Sequence, residues 1–199
     1  MKNLNQEQTA TSIPSRRALL KTGGIVAAGD ASGASAALSD LDILSFALSL
    51  EHLEHTFYTR IVEADTQRQF LHGRLHEIAP VLRDNEAAHI EAISTAITAL
   101  GGTPAPAGTY KFPTNVFISP ISFAHFAYTL EDIGVGAYLG AVGKIKSKDI
   151  RRAAASIYGS ETRHAALLRH LGGFQFSPRY YEGPLTVAQT QQLIDPYVV

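Results

Sequence analysis

The chain has 199 residues, 45% of them hydrophobic, which is enough to bury one substantial core and calls for no second domain. A net charge of −1, without a basic stripe or an acidic tail, offers no footprint for nucleic acid or for a charged membrane surface. Because there is no cysteine, disulfides, thiolate ligation and iron–sulfur clusters are excluded, and any bound metal must be held by nitrogen and oxygen.

At the start of the chain, Ser15-Arg16-Arg17-Ala18-Leu19-Leu20-Lys21 resembles the bacterial twin-arginine export motif, with Leu19 where Phe is usual. A weakly apolar stretch through Ala28, interrupted afterwards by Asp30, and the small-residue triplet Ala34-Ser35-Ala36 follow in the order of an export segment. Residues 1–36 are therefore expected to be a signal segment that places the protein in the periplasm, or in the cytoplasm if the signal is not used. The apolar stretch is too short to span a bilayer.

A four-helix bundle is expected over residues 37–173. Helix 1 runs from about Ser39 to Ala64, and its core-facing stripe reads Leu41, Leu44, Leu48, Glu51, His55, Tyr58 and Val62. Helix 2 runs from about Thr66 to Leu100, ended by Gly101-Gly102, with the stripe Leu75, Ala79, Leu82, Glu86, His89, Ile93, Ala96 and Leu100. Pro80 should kink or split it ahead of Glu86. The segment from Gly101 to Ser119, with Pro104, Pro106 and Pro113, is too long for a tight turn and reads as a crossover that leaves helices 2 and 3 roughly parallel. Helix 3, from Pro120 to about Lys144, carries Ile121, Ala124, Tyr128, Glu131, Val135, Tyr138 and Val142. Gly134 and Gly136 each weaken it by up to about 1 kcal/mol relative to Ala, so close packing or a small pocket for peroxide or dioxygen must justify them. Helix 4, from Lys148 to Leu171, carries Ile150, Ala154, Ile157, Glu161, His164, Leu168 and Leu171. Residues 174–199 read as an irregular tail laid over the bundle, or as a contact between two copies.

Each stripe thus has a glutamate near its centre. An isolated ionised carboxylate in a dry core costs on the order of tens of kcal/mol by Born solvation, so such groups are neutralised, paired or bound to metal. Four glutamates carry about −4, which two divalent cations would cancel. The pattern also repeats. Ser49-Leu50-Glu51 followed by Tyr58 matches Thr129-Leu130-Glu131 followed by Tyr138, each Tyr two helical turns beyond its Glu. Glu86-Ala87-Ala88-His89 and Glu161-Thr162-Arg163-His164 are both Glu-x-x-His, the spacing that turns a carboxylate and an imidazole to one side of a helix.

At these residues, over about Asp40 to Gly172, the chain resembles the ferritin-like superfamily of dinuclear carboxylate proteins, and within it the bacterial ferritin-like domain proteins of the desiccation-related type. The resemblance implies Glu51 and Glu131 as ligands from helices 1 and 3, Glu86 and Glu161 as bridging or chelating ligands, and His89 and His164 as caps on one metal each. It implies Tyr58 and Tyr138 as donors to the ligand carboxylates. It further implies two divalent ions, iron or manganese by ligand hardness, a small oxidant such as hydrogen peroxide or dioxygen as partner, and peroxidase, catalase or ferroxidase chemistry in stress protection. The alternative from another class is a non-catalytic protective protein with a structural metal site.

Glu54 lies outside the repeat, because helix 3 has Gly134 at the matching position; it is either an added ligand or proton shuttle, or part of a solvated face. His55, one turn beyond Glu51, reads as packing or else as a contact to the site, and His52, His72, His76, His125 and His170 as ordinary surface or cap residues. A metal-free polar network would need nearby cations, for which only Arg163 and Arg83 are close in sequence. Asn85 and Ser160 precede the two Glu-x-x-His units where several oxidase relatives carry Asp, which implies weaker support behind the histidines.

Overall fold

The computed structural model describes residues 38–179 and 181–199, so the export motif and its cleavage triplet lie outside the described residues. The elements are α1 (Asp40–Arg68), α2 (Arg74–Ala99), α3 (Pro120–Val142), α4 (Lys148–Leu171) and α5 (Val187–Ile194), with short 3₁₀ turns at Thr114–Phe117 and Asp195–Tyr197. The class is all-α, and the first four helices make the bundle. No helix among the described residues is long and apolar enough to cross a membrane.

Side chains define the helix starts. Ser39 caps α1 in a reciprocal box with Asp42, Ser119 accepts from Ser122 ahead of Pro120 at α3, and Ser147 accepts from Ile150 at α4. The α1–α2 boundary differs from the sequence expectation. Helix α1 continues to Arg68, Gln69 turns into the left-handed region at φ 50°, and α2 begins only after Gly73. Asp65 secures this corner by accepting from the Leu71 amide at 2.7 Å and meeting His76 Nδ1 at 2.6 Å. Pro80 falls within the first turns of α2, and the helix passes through it unsplit.

Helix directions follow from cross-helix contacts. Helix α1 runs antiparallel to α2, because Asp65 meets His76 while Glu51 meets His89 further along. It is also antiparallel to α3, because Tyr58 reaches Glu131 and Tyr138 reaches Glu51. Helices α2 and α3 are therefore parallel, as the long crossover required. That crossover lies along α1, where His52 Nε2 meets the Ala105 carbonyl at 3.0 Å and Arg60 donates to the Tyr110 carbonyl at 2.9 Å.

The apolar core is divided in two. One cluster gathers Leu53, Phe57, Ile61, Leu82, Phe123, Leu130 and Leu168; the other gathers Leu44, Leu48, Ile93, Ile97, Ala154 and Ile157. On α2 and α4 the central glutamate falls between the two clusters, whereas on α1 the clusters interleave through Phe46 and Leu50 and on α3 the first runs on to Ala137. Stripe positions are buried along their middles, but Leu100 and Ile121, at helix ends, are exposed, so the stripes are shorter than expected.

The tail is more ordered than expected. Thr186 caps α5 in a box with Gln189, and the final residues pair with the crossover: Tyr110 bridges Val198, and Val199 N–H donates to the Thr109 carbonyl at 2.9 Å. The segment before α5 crosses α3 over two glycines. A Cβ on Gly136 would meet the Leu185 side chain at 2.7 Å, and one on Gly140 would meet the Leu185 carbonyl oxygen at 1.9 Å. Because that second obstacle is backbone, Gly140→Ala is expected to lift the tail off α3 and destabilise the protein by about 1–3 kcal/mol. Urea unfolding and limited proteolysis of residues 183–199 read this out; a wild-type midpoint and cleavage pattern would refute it.

Candidate metal centre

All four central glutamates are fully buried at 0% exposure, and His89 and His164 are nearly so. The structure brings all six sequence-predicted ligands together. His89 Nδ1 lies 2.8 Å from Glu86, 3.1 Å from Glu51 and 3.1 Å from Glu161. His164 Nδ1 lies 3.2 Å from Glu131, 3.2 Å from Glu86 and 3.8 Å from Glu161. Two overlapping donor sets result, Glu51–Glu86–His89–Glu161 and Glu86–Glu131–Glu161–His164, and in each the potential ligand atoms lie within 4.8 Å of one another. Glu86 and Glu161 belong to both sets.

The tyrosines cross over between helices. Tyr58 of α1 donates to Glu131 of α3, and Tyr138 of α3 donates to Glu51 of α1. Burial first, then the adjacent carboxylate, hold each phenol well above its ordinary range, so both remain protonated donors. Each fixes one oxygen of its glutamate and leaves the other facing the site.

The histidines are supported unequally. Asn85 meets His164 Nε2 at 3.0 Å and Ser160 approaches the same nitrogen at 3.3 Å. Both residues that precede the Glu-x-x-His units thus back one histidine. Were His164 to ligate through Nδ1, its Nε2 would carry the proton and donate to Asn85, whose amide would then present its oxygen. Neither partner is a carboxylate, in agreement with the weaker support expected from sequence.

The donors fit a cation by their chemistry. Glu86 Oε1, both oxygens of Glu161 and Glu54 Oε2 are buried without an aligned hydrogen-bond donor, an arrangement that proteins otherwise avoid. Without metal, the charge is balanced from within the site. Burial, outweighed by the close carboxylates of Glu161, Glu51 and Glu86, towards which the Nδ1–H is directed, leaves His89 pushed up to about 12. Burial, outweighed by the nearby carboxylates of Glu131, Glu161 and Glu86, does the same for His164, also to about 12. Glu86 is pushed up by burial and drawn down further by the two imidazoliums, to about 2, while burial raises Glu51 to about 7 and holds Glu161 well above the carboxylate range. The cations anticipated from sequence take no part. Arg83 pairs with Asp84 at 2.7 Å, and Arg163 is exposed.

Two sequence expectations are corrected here. Glu54 is 3% exposed and belongs to no solvated face. The space beside Gly134 is no opening for an oxidant, because a Cβ there would meet Glu54 Oε1 at 3.2 Å. The remaining histidines stay away from the centre: His52 and His76 bind the crossover and Asp65, His125 packs on Tyr128 and Phe174, His72 and His170 are exposed, and His55 is half-buried outside both donor sets. Sequence reasoning missed a further ion pair behind α3, where Arg169, stacked 4.8 Å above Tyr128, donates to Asp132.

A helical bundle with a buried, twofold-repeated Glu/His cluster defines the protein's class. A family model described as the ferritin-like domain matches residues 39–173, and the chain belongs to that family. Among curated proteins no match was found.

Proposed function

We propose that this protein holds two iron or manganese ions and uses them in redox chemistry with hydrogen peroxide or dioxygen, as protection against oxidative stress. The observation that carries this reading is the pair of donor sets sharing Glu86 and Glu161, each completed by one imidazole and one further glutamate in a fully buried layer. Bound as a pair, such ions supply reversible electron exchange with an oxidant. The chain's own part is positional. Glu86 and Glu161 are the shared ligands, Glu51 with His89 and Glu131 with His164 complete the two positions, and the tyrosines fix the orientation of Glu51 and Glu131. The two apolar clusters keep bulk water from both ends of the layer.

A cavity of about 50 Å³, lined by Leu44, Ala47, Ile93, Ala154 and Ile157, borders Tyr138. Its apolar walls and small size suit dioxygen or another small neutral oxidant. The lack, among the described residues, of a carboxylate behind either histidine favours a second reading, a protective protein with a structural metal site.

The deciding experiment is elemental analysis of protein purified from its native compartment, followed by stopped-flow mixing with hydrogen peroxide. About two irons or manganeses per chain and rapid oxidation are expected; inert zinc would favour the structural reading, and a metal-free protein would refute the metal centre. Tyr138→Phe should keep both ions, weaken the position that uses Glu51 by about 10–100-fold, and change the rate with peroxide. An unaltered rate and affinity would reduce Tyr138 to packing. We further propose that the twin-arginine segment directs export, which cell fractionation of the full chain and of an Arg16→Lys, Arg17→Lys variant tests. Cytoplasmic retention of the variant alone is the expected result.

A further inference from the structure

We propose that Glu54 is a fifth carboxylate donor, serving the position built from Glu131, His164, Glu86 and Glu161, and that Gly134 is glycine in order to admit it. This rests on the metal-centre reading above, and its consequence is that the two metal positions are inequivalent.

In the internal repeat, Glu54 and Gly134 occupy equivalent places, each three residues beyond the central glutamate of its helix. The side chain present on α1 fills the space that a side chain would need on α3. A Cβ on Gly134 would meet Glu54 Oε1 at 3.2 Å and Glu161 Oε2 at 3.6 Å, so the Glu54 carboxylate extends across to α3 beside Glu161. Gly134 stands one turn from Glu131 on α3, so the Glu54 carboxylate beside it lies on the Glu131 side of the site.

Glu54, like His55, stands outside both compact donor sets, but it is 3% exposed and its Oε2 has no hydrogen-bond donor. Glutamate is almost never buried to this degree unless paired, and no Lys or Arg side chain meets Glu54 among the described residues. Glycine inside a helix costs about 0.8–1 kcal/mol relative to Ala. Together these features describe a carboxylate housed at some expense next to an already acidic site, which is the arrangement a hard cation rewards.

The test is titration of the metal-free full chain with cobalt(II) alone, followed by calorimetry and by visible absorption, which reports ligand number and geometry at each ion. Wild-type protein should bind two ions in two distinguishable steps. Glu54→Gln, which preserves shape and removes the anionic donor, should weaken one step by about tenfold or more, shift the absorption of that ion alone, and leave the other step unchanged. Gly134→Ala, at a residue that ligates nothing, should press the carboxylate aside and alter the same step in the same direction. If both variants bind two cobalt ions with wild-type affinities and spectra, Glu54 is not a ligand and the inference fails by itself. If the wild-type chain takes up no cobalt, the metal-centre reading fails with it.

Discussion

Replacing Glu131 by alanine is expected to reduce tightly bound metal from about two ions per chain to about one. Glu131 belongs only to the donor set that contains His164, whereas Glu86 and Glu161 belong to both. Its removal leaves the Glu51–His89 set intact and deprives the other set of an anionic oxygen whose orientation Tyr58 fixes. It also leaves the Tyr58 hydroxyl buried without an acceptor, at a cost of about 1–3 kcal/mol. Elemental analysis and urea unfolding read the two effects separately. Glu63→Ala, an exposed change on α1, controls for the loss of a carboxylate as such. If the Glu131 variant still holds two ions as tightly as wild type, the assignment of ligands is wrong.

The second large effect is a stability that falls with rising pH when metal is absent. His89 and His164 stay protonated in the folded protein to about pH 12, while in the unfolded chain they release their protons near 6.5. Their contribution is complete below about pH 6.5 and is lost as pH climbs towards 12. Each retained proton is worth about 1.4 kcal/mol per pH unit, so two give a slope of roughly 2–3 kcal/mol per unit above neutrality. Glu51, raised to about 7, adds a loss between its ordinary value and neutrality. Glu86, lowered to about 2, acts oppositely: its contribution is present above the ordinary carboxylate range and is lost on acidification. Glu161, held well above the carboxylate range, acts in the same sense as Glu51, so the site's own contribution in the metal-free protein declines as pH rises above the ordinary carboxylate range. Metal must displace the imidazole protons, so its affinity rises with pH and the loaded protein should show the reverse trend. Urea midpoints at pH 5, 7 and 8.5, with and without a chelator, test this. A metal-free midpoint that stays level across that range would mean that the imidazoles are neutral.

The helices, the crossover and the convergence of six acidic and histidine side chains were legible because they depend on local spacing. A glutamate that interrupts an apolar stripe marks itself, and a repeat of the interruption marks its partners. Periodicity gives the face on which a side chain lies, but not what stands opposite. Tyr58 and Tyr138 were therefore recognisable as donors, while the helix whose carboxylate each would hold was not, since this depends on how α1 packs against α3. Glu54 stood out only as an exception to the repeat. Its burial is decided by a glycine some eighty residues away, and no window along one helix contains both. The α1–α2 corner was misplaced because Gln69, a residue with no strong turn preference, adopts the left-handed conformation under the hold of Asp65 on Leu71. Helix α5 did carry a readable signal in Thr186 and Gln189, a capping box overshadowed by the surrounding prolines and aromatics.

The crossed tyrosines mean that neither helical hairpin can finish its own half of the site. Glu51 is held by a residue of the other hairpin, and so is Glu131. A pair of identical hairpins would satisfy the same contacts as a twofold dimer, and symmetry would then force the same residue onto both copies of every position. Joining the halves in one polypeptide lifts that constraint, which is how glutamate can stand at 54 where its counterpart at 134 has no side chain at all.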